Sequence, residues 1–215
     1  MASSTILFDL DGTLVDSAPD LADAANLLRT IRGLPPIDES LLRPLASRGS
    51  LVLIEKALGT TSSELKTEFL RNYAAICAHR SRLYPGLSSI LNSLHESGIK
   101  LGVVTNKPGT LARTIISSLG LNDIFSGVWG SGDPGIQMKP APSGILSALE
   151  NLESLPSESI YIGDEPSDLN AAHAAGLRCA LVRWGYACEP LETVGPDFIA
   201  ETPKLLEAWL LQQIA

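Results

Sequence analysis

Cysteine is scarce in this chain of 215 residues, and its placement excludes two classes of small protein. The three cysteines are Cys77, Cys179 and Cys188, and no two of them form a C-x-x-C motif. Their odd number and wide separation argue against a disulfide framework and against a zinc site. We therefore expect three free thiols in a reducing compartment.

Long hydrophobic runs are also absent. No apolar stretch approaches the roughly 20 residues that a membrane helix needs. The first eleven residues lack the basic segment of a secretory signal, and the last six carry no lipidation pattern. We expect a cytoplasmic protein that has no membrane partner.

Basic residues are outnumbered by acidic ones. The chain has 16 Lys and Arg against 24 Asp and Glu, which gives a net charge of −8. Proteins that bind nucleic acid usually present a basic face, so nucleic acid is not an expected partner. The acidic excess lies outside residues 16–81, and part of it could hold a divalent cation, because hard cations take oxygen ligands.

Two patterns of hydrophobic residues divide the chain into a core and an insertion. Residues 5–8 form a short apolar run typical of a buried strand, and from residue 84 onward strand and helix patterns alternate, with glycines after several helices. This alternation predicts a doubly wound parallel α/β sheet of the Rossmann type. Between the first strand and residue 84, leucines and aromatic residues recur at helical spacing. We predict a core of residues 1–15 and 82–215, with an inserted α-helical cap at residues 16–81.

Four polar clusters follow or flank predicted strands. Their sequences are D-L-D-G-T at residues 9–13, T-N at 105–106, K-P at 139–140 and G-D-E-P-S-D at 163–168. The carboxyl ends of parallel strands meet at one edge of a sheet, where α/β proteins place their sites. We expect the four clusters to converge there.

These motifs, in this order, resemble those of the haloacid dehalogenase superfamily. The matching stretches read F-D-L-D-G-T-L-V-D-S, V-V-T-N-K, K-P and I-G-D-E-P-S-D. An inserted helical cap between the first two motifs is typical of one large branch, so the resemblance covers nearly the whole chain. It implies a phosphatase that acts on a small phosphorylated molecule.

The resemblance assigns roles to the first motif. It implies that Asp9 attacks phosphorus and forms an aspartyl-phosphate, while Asp11 acts first as general acid and then as general base. Gly12 and Thr13 are expected to lie against the phosphate.

The other motifs are expected to complete the site. Thr105 would donate its hydroxyl to the phosphoryl group, with help from Asn106, and Lys139 would supply a fixed positive charge. The resemblance implies a Mg²⁺ ion as cofactor. Its predicted binding residues are Asp9, Asp11 through its backbone carbonyl, Asp164 and Asp168, the last acting through a water.

Each motif also has an ordinary interpretation. Asp9 and Asp11 could be turn residues, Asp164 and Asp168 could cap a helix, and Lys139 could be a solvated lysine. In the cap, Arg48 could bind a substrate carboxylate or be a solvated helix residue. Four clusters in family order favour the functional interpretation of the core motifs, whereas the choice for Arg48 stays open.

Within the superfamily the chain looks most like the phosphoglycolate phosphatase branch. Phosphatases of sugar phosphates such as N-acetylmuramic acid 6-phosphate, nucleotidases and pyrophosphatases remain alternatives. Asp11 argues against a dehalogenase, whose halide needs no proton. A binding or regulatory protein that has kept the fold without catalysis is a more remote alternative. We expect a monomer or a homodimer.

Overall fold

A computed structural model describes residues 5–187 and 190–213. The first strand, β1, spans Thr5–Phe8, and all four of its residues are buried. A strand covered on both faces explains why its sequence is apolar throughout instead of alternating.

A six-stranded parallel sheet is built around β1. Its other strands are β4 (Lys100–Pro108), β5 (Gly127–Ser131), β6 (Ser159–Gly163), β7 (Arg178–Val182) and β8 (Phe198–Ala200), and the strand order is β5-β4-β1-β6-β7-β8. The chain adds β4 and β5 on one side of β1 and then β6, β7 and β8 on the other. The point where this order reverses lies at β1, and the crevice beyond its carboxyl end is the expected place for a ligand.

Helices cover both faces of the sheet. They are α5 (Leu87–Glu96), α6 (Gly109–Ser118), α7 (Ser143–Asn151), α8 (Pro166–Ala174) and α9 (Pro203–Gln213). Neighbouring strand residues bury their side chains in different clusters: Ile6 and Phe8 belong to one, and Leu7 belongs to the other. This alternation gives the sheet two hydrophobic cores and confirms the predicted doubly wound α/β class.

Four further helices lie between β1 and α5. They are α1 (Ala18–Ile31), α2 (Glu39–Leu42), α3 (Ser50–Leu58) and α4 (Ser63–Ile76). Helix α1 packs against α3 and α4, and its buried face is rich in alanine and leucine. Two short strands, β2 (Val15–Asp16) and β3 (Arg82–Leu83), pair antiparallel where this insertion leaves and rejoins the sheet. The predicted helical insertion is therefore present.

Several predicted boundaries differ from those observed. The strand expected at residues 124–129 is β5 at Gly127–Ser131, because residues 121–125 form turns that end in Phe125, which is buried. Three short strands, β2, β3 and β8, were not predicted, since two or three residues carry no detectable periodicity.

Two of the three cysteines lie within the described residues. Cys77 and Cys179 are free and buried, while Cys188 lies outside the described residues. Among the helices that the structure describes, none is long and apolar enough to cross a membrane.

Candidate active site

A cleft of about 560 Å³ lies between the inserted helices and the carboxyl end of the sheet. Its core wall contains residues of all four predicted motifs, and its cap wall is largely apolar. The core residues include Asp9, Asp11, Thr105, Asn106, Lys107, Lys139 and Asp168, and the cap residues include Ala46, Arg48, Leu51, Lys66, Phe69, Leu70 and Tyr73. The parallel sheet thus brings the motifs together, as expected.

Asp9 is the first residue after β1 and is 8% exposed. Its backbone N–H donates to the carbonyl of Ile162, which fixes it between β1 and β6. Its Oδ1 lies 2.9 Å from the Nζ of Lys139. Burial raises the pKa of Asp9 to about 6, and the charges of Asp168 and Asp11 add to this rise, while Lys139 opposes it.

Lys139 is buried beside two carboxylates. Its Nζ donates to Oδ1 of Asp168 at 2.5 Å and to the hydroxyl of Tyr161 at 2.9 Å. Burial alone would lower the pKa of Lys139, but Asp168 and Asp9 together raise it. Lys139 therefore carries a positive charge next to Asp9 at any ordinary pH.

Asp168 uses both of its oxygens within the protein. Oδ1 accepts from Lys139, and Oδ2 accepts from the backbone N–H groups of Asp164 and Glu165. These amide contacts make it the third residue of a capping box at the start of α8. Asp168 both caps a helix and orients Lys139, so the two interpretations of this residue hold at once.

Asp164 lies deeper in the same turn and is fully buried. Its Oδ1 accepts from the hydroxyl of Thr13 at 3.1 Å, and its Oδ2 accepts from the backbone N–H of Tyr186 at 2.8 Å. A Cβ on Gly12, whose φ is +85°, would lie 2.3 Å from Oδ2 of Asp164. Gly12 and Thr13 therefore pack around Asp164 and do not line the cleft, and the phosphate contacts predicted for them remain predictions.

Asp9, Asp164 and Asp168 form one acidic cluster, in which one carboxylate oxygen from each residue lies within 4.8 Å of the other two. Burial and the charges of Asp168 and Asp9 raise the pKa of Asp164 well above its usual value. The Oδ1 of Asp9 is buried, and no described residue gives it a hydrogen bond of acceptable geometry, despite the ion pair with Lys139. Crowded carboxylates with an unsatisfied oxygen suit a hard divalent cation.

The Asp11 side chain is not part of that cluster. Its oxygens lie 3.0 and 2.9 Å from the Nζ of Lys107, and Oδ1 also accepts from the hydroxyl of Ser17 at 2.5 Å. The metal contact predicted for Asp11 concerned its backbone carbonyl and remains a prediction. Lys107 was not among the predicted site residues, although the V-V-T-N-K sequence placed a lysine at this strand end.

Thr105 and Asn106 lie on β4 at the cleft. The Thr105 hydroxyl accepts from the backbone N–H of Lys107 at 3.2 Å, which leaves its proton available to a ligand. The Asn106 side chain accepts from the backbone N–H of Lys139 at 2.6 Å and donates to the carbonyl of the same residue at 3.2 Å. Asn106 thus holds Lys139 in place, and the substrate contact predicted for Asn106 remains a prediction.

Two cap cations face the cleft. Arg48 and Lys66 are exposed, line the cleft and form no ion pair with any residue that the structure describes. Arg43, by contrast, pairs with Asp16 and Glu39 at the base of the cap. Arg48 is therefore placed where a substrate could reach it, and Lys66 is a further candidate that helical periodicity alone did not identify.

Comparison with known proteins agrees with this geometry. Residues 6–182 match the haloacid dehalogenase-like hydrolase family, and the chain belongs to that family. It is 38% identical to a phosphoglycolate phosphatase of Xylella fastidiosa over 94% of this chain and 90% of that protein. It is 36% identical to an N-acetylmuramic acid 6-phosphate phosphatase of Pseudomonas aeruginosa, over 96% of this chain and 94% of that protein.

A solved structure shares the fold along nearly the full length. The crystal structure of a predicted phosphoglycolate phosphatase from Haemophilus somnus 129pt superposes with a TM-score of 0.83 and 29% identity, and covers 98% of both chains. The predicted family and the predicted fold are both confirmed.

Proposed function

We propose that this protein is a Mg²⁺-dependent phosphatase that hydrolyses a small phosphomonoester through covalent attack by Asp9. The observation that carries the proposal is the position of Asp9. It is a buried carboxylate at the central strand end, it faces the cleft, it lies 2.9 Å from the ammonium of Lys139, and its Oδ1 lacks a hydrogen bond from any described residue. The family match and the phosphatase relatives support the same reaction class.

Asp9 and Asp164 would hold the Mg²⁺, together with the backbone carbonyl of Asp11. Asp168 would contact the ion through a water molecule, because both of its oxygens already accept hydrogen bonds from groups of the protein. When bound, the cation would neutralise negative charge on the phosphoryl group and on the clustered carboxylates. The acidic cluster is the observation that supports a cation, and the choice of Mg²⁺ follows from the family.

The protein's own residues would carry the reaction in two steps. An oxygen of Asp9 attacks phosphorus, the bond between phosphorus and the ester oxygen breaks, and Asp11 gives that oxygen its proton. Asp11 then takes a proton from the water that attacks the aspartyl-phosphate, and phosphate leaves with Asp9 restored. Lys139 and the Thr105 hydroxyl offset charge on the phosphoryl oxygens.

We infer that the substrate carries a carboxylate as well as a phosphate. Phosphoglycolate and N-acetylmuramic acid 6-phosphate, the compounds named in the relatives, both do. Arg48 and Lys66 lie on the opposite wall of the cleft from Asp9, and neither forms an ion pair within the described part of the chain. We place 2-phosphoglycolate first, because several relatives carry that name.

The cleft size favours the N-acetylmuramic acid 6-phosphate alternative as a second candidate. A volume of about 560 Å³ lies within the range of pockets that enclose drug-sized ligands, and 2-phosphoglycolate would fill only part of it. The apolar cap residues Leu51, Phe69 and Leu70 could pack against a sugar ring.

We also propose that residues 16–81 act as a cap on a core of residues 1–15 and 82–215. The antiparallel pairing of Asp16 with Arg82 joins the two crossing points and supports these boundaries. Location in the cytoplasm and a monomeric or homodimeric state remain predictions.

Phosphate release tests the proposed function. The assay compares 2-phosphoglycolate, N-acetylmuramic acid 6-phosphate, common sugar phosphates, nucleoside monophosphates and pyrophosphate, each with Mg²⁺ and with EDTA. We expect Mg²⁺-dependent turnover of one carboxylate-bearing ester far above the others. Asp9→Asn should reduce it by about 10³-fold or more. Turnover by the wild type in EDTA, or turnover by Asp9→Asn at the wild-type rate, would contradict the mechanism. No release of phosphate from any compound would favour a binding protein.

A further inference from the structure

Lys107 is a buried lysine of the cleft wall that the reaction outlined above does not use. It lies near the end of β4, and its side chain is 4% exposed. Its Nζ contacts both oxygens of Asp11, at 3.0 and 2.9 Å. The ion pair with Asp11 therefore fixes an ammonium against the carboxyl group proposed to move the proton.

The same ammonium also contacts the cap. It lies 4.5 Å from the ring centroid of Tyr73, a buried residue of α4. This distance is typical of a cation–π contact. Lys107 therefore joins a residue of the first core motif to a helix of the inserted segment, and it does so inside the cleft.

The carboxyl group of Asp11 has two described side-chain partners, and both limit its orientation. Lys107 contacts it from β4, and Ser17, just before α1, donates to Oδ1 at 2.5 Å. The second contact again comes from the point where the chain enters the cap. A carboxyl group held from two sides cannot rotate freely toward or away from the ester oxygen that it must protonate.

We propose that Lys107 is a positioning residue for Asp11, held in place by Tyr73 when the cap covers the cleft. This assignment rests on the proposed phosphatase function. It follows that the bond between phosphorus and the ester oxygen breaks efficiently only when Lys107 orients Asp11. The electron pair of that bond goes to the ester oxygen, and the proton comes from the protonated form of Asp11, one oxygen of which accepts from Lys107 while the other carries the proton. Lys107 itself loses no proton and forms no bond to the substrate in this step.

Comparing leaving groups separates positioning from a merely structural role. An alkyl phosphate needs protonation of its leaving oxygen, whereas p-nitrophenyl phosphate has a leaving group that departs as an anion. We expect Lys107→Met to lower kcat/KM for the best alkyl substrate by about 100-fold and that for p-nitrophenyl phosphate by less than about fivefold. Asp11→Asn should give the same pattern.

Tyr73 provides a second pair of variants if Lys107→Met does not fold. Tyr73→Phe keeps the ring face, so its ratio of the two rates should lie closer to that of wild type than the ratio for Tyr73→Leu. Tyr73→Leu removes the ring face and should shift that ratio in the same direction as Lys107→Met, by roughly tenfold.

The role of Lys107 would be overturned if Lys107→Met lowered kcat/KM equally for both esters. If that variant does not fold, equal losses in Tyr73→Leu would have the same meaning. Either result would leave the proposed function intact. A wild-type protein that releases phosphate from neither ester would instead overturn the proposed function, and the role of Lys107 with it.

Discussion

The Nζ of Lys139 lies 2.5 Å from Oδ1 of Asp168, and both groups are buried beside Asp9. Because the other oxygen of Asp168 accepts two backbone N–H groups at the start of α8, one carboxylate ties the lysine to the turn that carries Asp164. The position of the cation and the shape of the acidic turn therefore depend on each other.

Asp168→Asn should destabilise the protein and lower phosphate release. The variant replaces the carboxylate that faces two amide donors and the ammonium of Lys139 with a neutral amide. Because Asp9 still pairs with Lys139, we expect a loss near the lower end of the roughly 3–5 kcal/mol that breaking a buried pair costs. Urea unfolding measures the loss of stability. Asp23→Asn is the matched control, because Asp23 pairs with Arg80 at an exposed site, and such pairs contribute about 0–1 kcal/mol. Equal losses in the two variants would contradict this account.

Asp20 should make stability depend on pH. Its buried carboxylate accepts from the backbone N–H groups of Ala78, Arg80 and Ser81 and from the Ser81 hydroxyl. Burial alone would raise the pKa of Asp20, but these hydrogen bonds together lower it below 3.8. The stabilisation is therefore fully present above the unfolded-state pKa and is lost as the pH falls through the folded-state pKa.

Asp20→Asn checks this sign. We expect the variant to be less stable than wild type by about 1–3 kcal/mol at pH 7, and the difference to shrink as the pH falls below about 4. Urea midpoints measured between pH 7 and pH 3 give the curve for each protein. A difference that stays constant over this range would show that the hydrogen bonds do not favour the charged form.

The sequence was sufficient to predict five of the six strands of the sheet, the helices that cover it and the convergence of Asp9, Lys139 and Asp164. These features follow from local periodicity and from the position of strand ends in parallel sheets. It could not identify the partners of each side chain. Lys107 and Asp11 are 96 positions apart, and nothing local in either motif shows that they pair.

The partner of Asp164 could not be predicted from the sequence either. Its Oδ2 accepts from the backbone N–H of Tyr186, and because almost every residue has a backbone N–H, the residue type does not show which one donates. The hydroxyl of Tyr186 accepts from the N–H groups of Ser17 and Ala18 and donates to Asp16. Tyr186 thus links the acidic turn to the start of the cap, a connection that only the tertiary structure could reveal.

Ser47 should restrain the cap over the cleft. Its hydroxyl donates to Oε1 of Glu165 at 2.5 Å, and Glu165 follows Asp164 directly. Since a hydrogen bond to a charged group contributes about 1.5–3 kcal/mol, Ser47→Ala should raise the rate of limited proteolysis in residues 16–81 by roughly tenfold. Ser40→Ala is the matched control, because the Ser40 hydroxyl donates to Asp38 within the same helix start and to no residue of the described core. Mg²⁺ with a phosphate analogue should protect both variants, and equal cleavage rates would show that the contact does not restrain the cap.

Arg48 and Lys66 should discriminate substrates by a carboxylate. Both line the cleft on the side of the cap, so a substrate whose phosphate lies at Asp9 could extend its second anionic group toward them. Arg48→Met and Lys66→Met should each raise KM for 2-phosphoglycolate by about tenfold, a loss of about 1.4 kcal/mol, with little change in kcat. The cap lysine Lys56 is exposed and does not line the cleft, so Lys56→Met serves as the matched control.

A second substrate completes a thermodynamic cycle, which isolates the contribution of the substrate carboxylate to KM. 2-Hydroxyethyl phosphate keeps the phosphate and the chain length of 2-phosphoglycolate but replaces the carboxylate with an uncharged hydroxymethyl group. Arg48→Met and Lys66→Met should leave its KM unchanged, because the group that they bind is missing. If KM rises equally for both compounds, the two cations act on the phosphate from a distance, and the carboxylate has no dedicated contact in the cap. Since general attraction of this kind weakens with salt, repeating the measurement at high ionic strength would then abolish the effect of both substitutions.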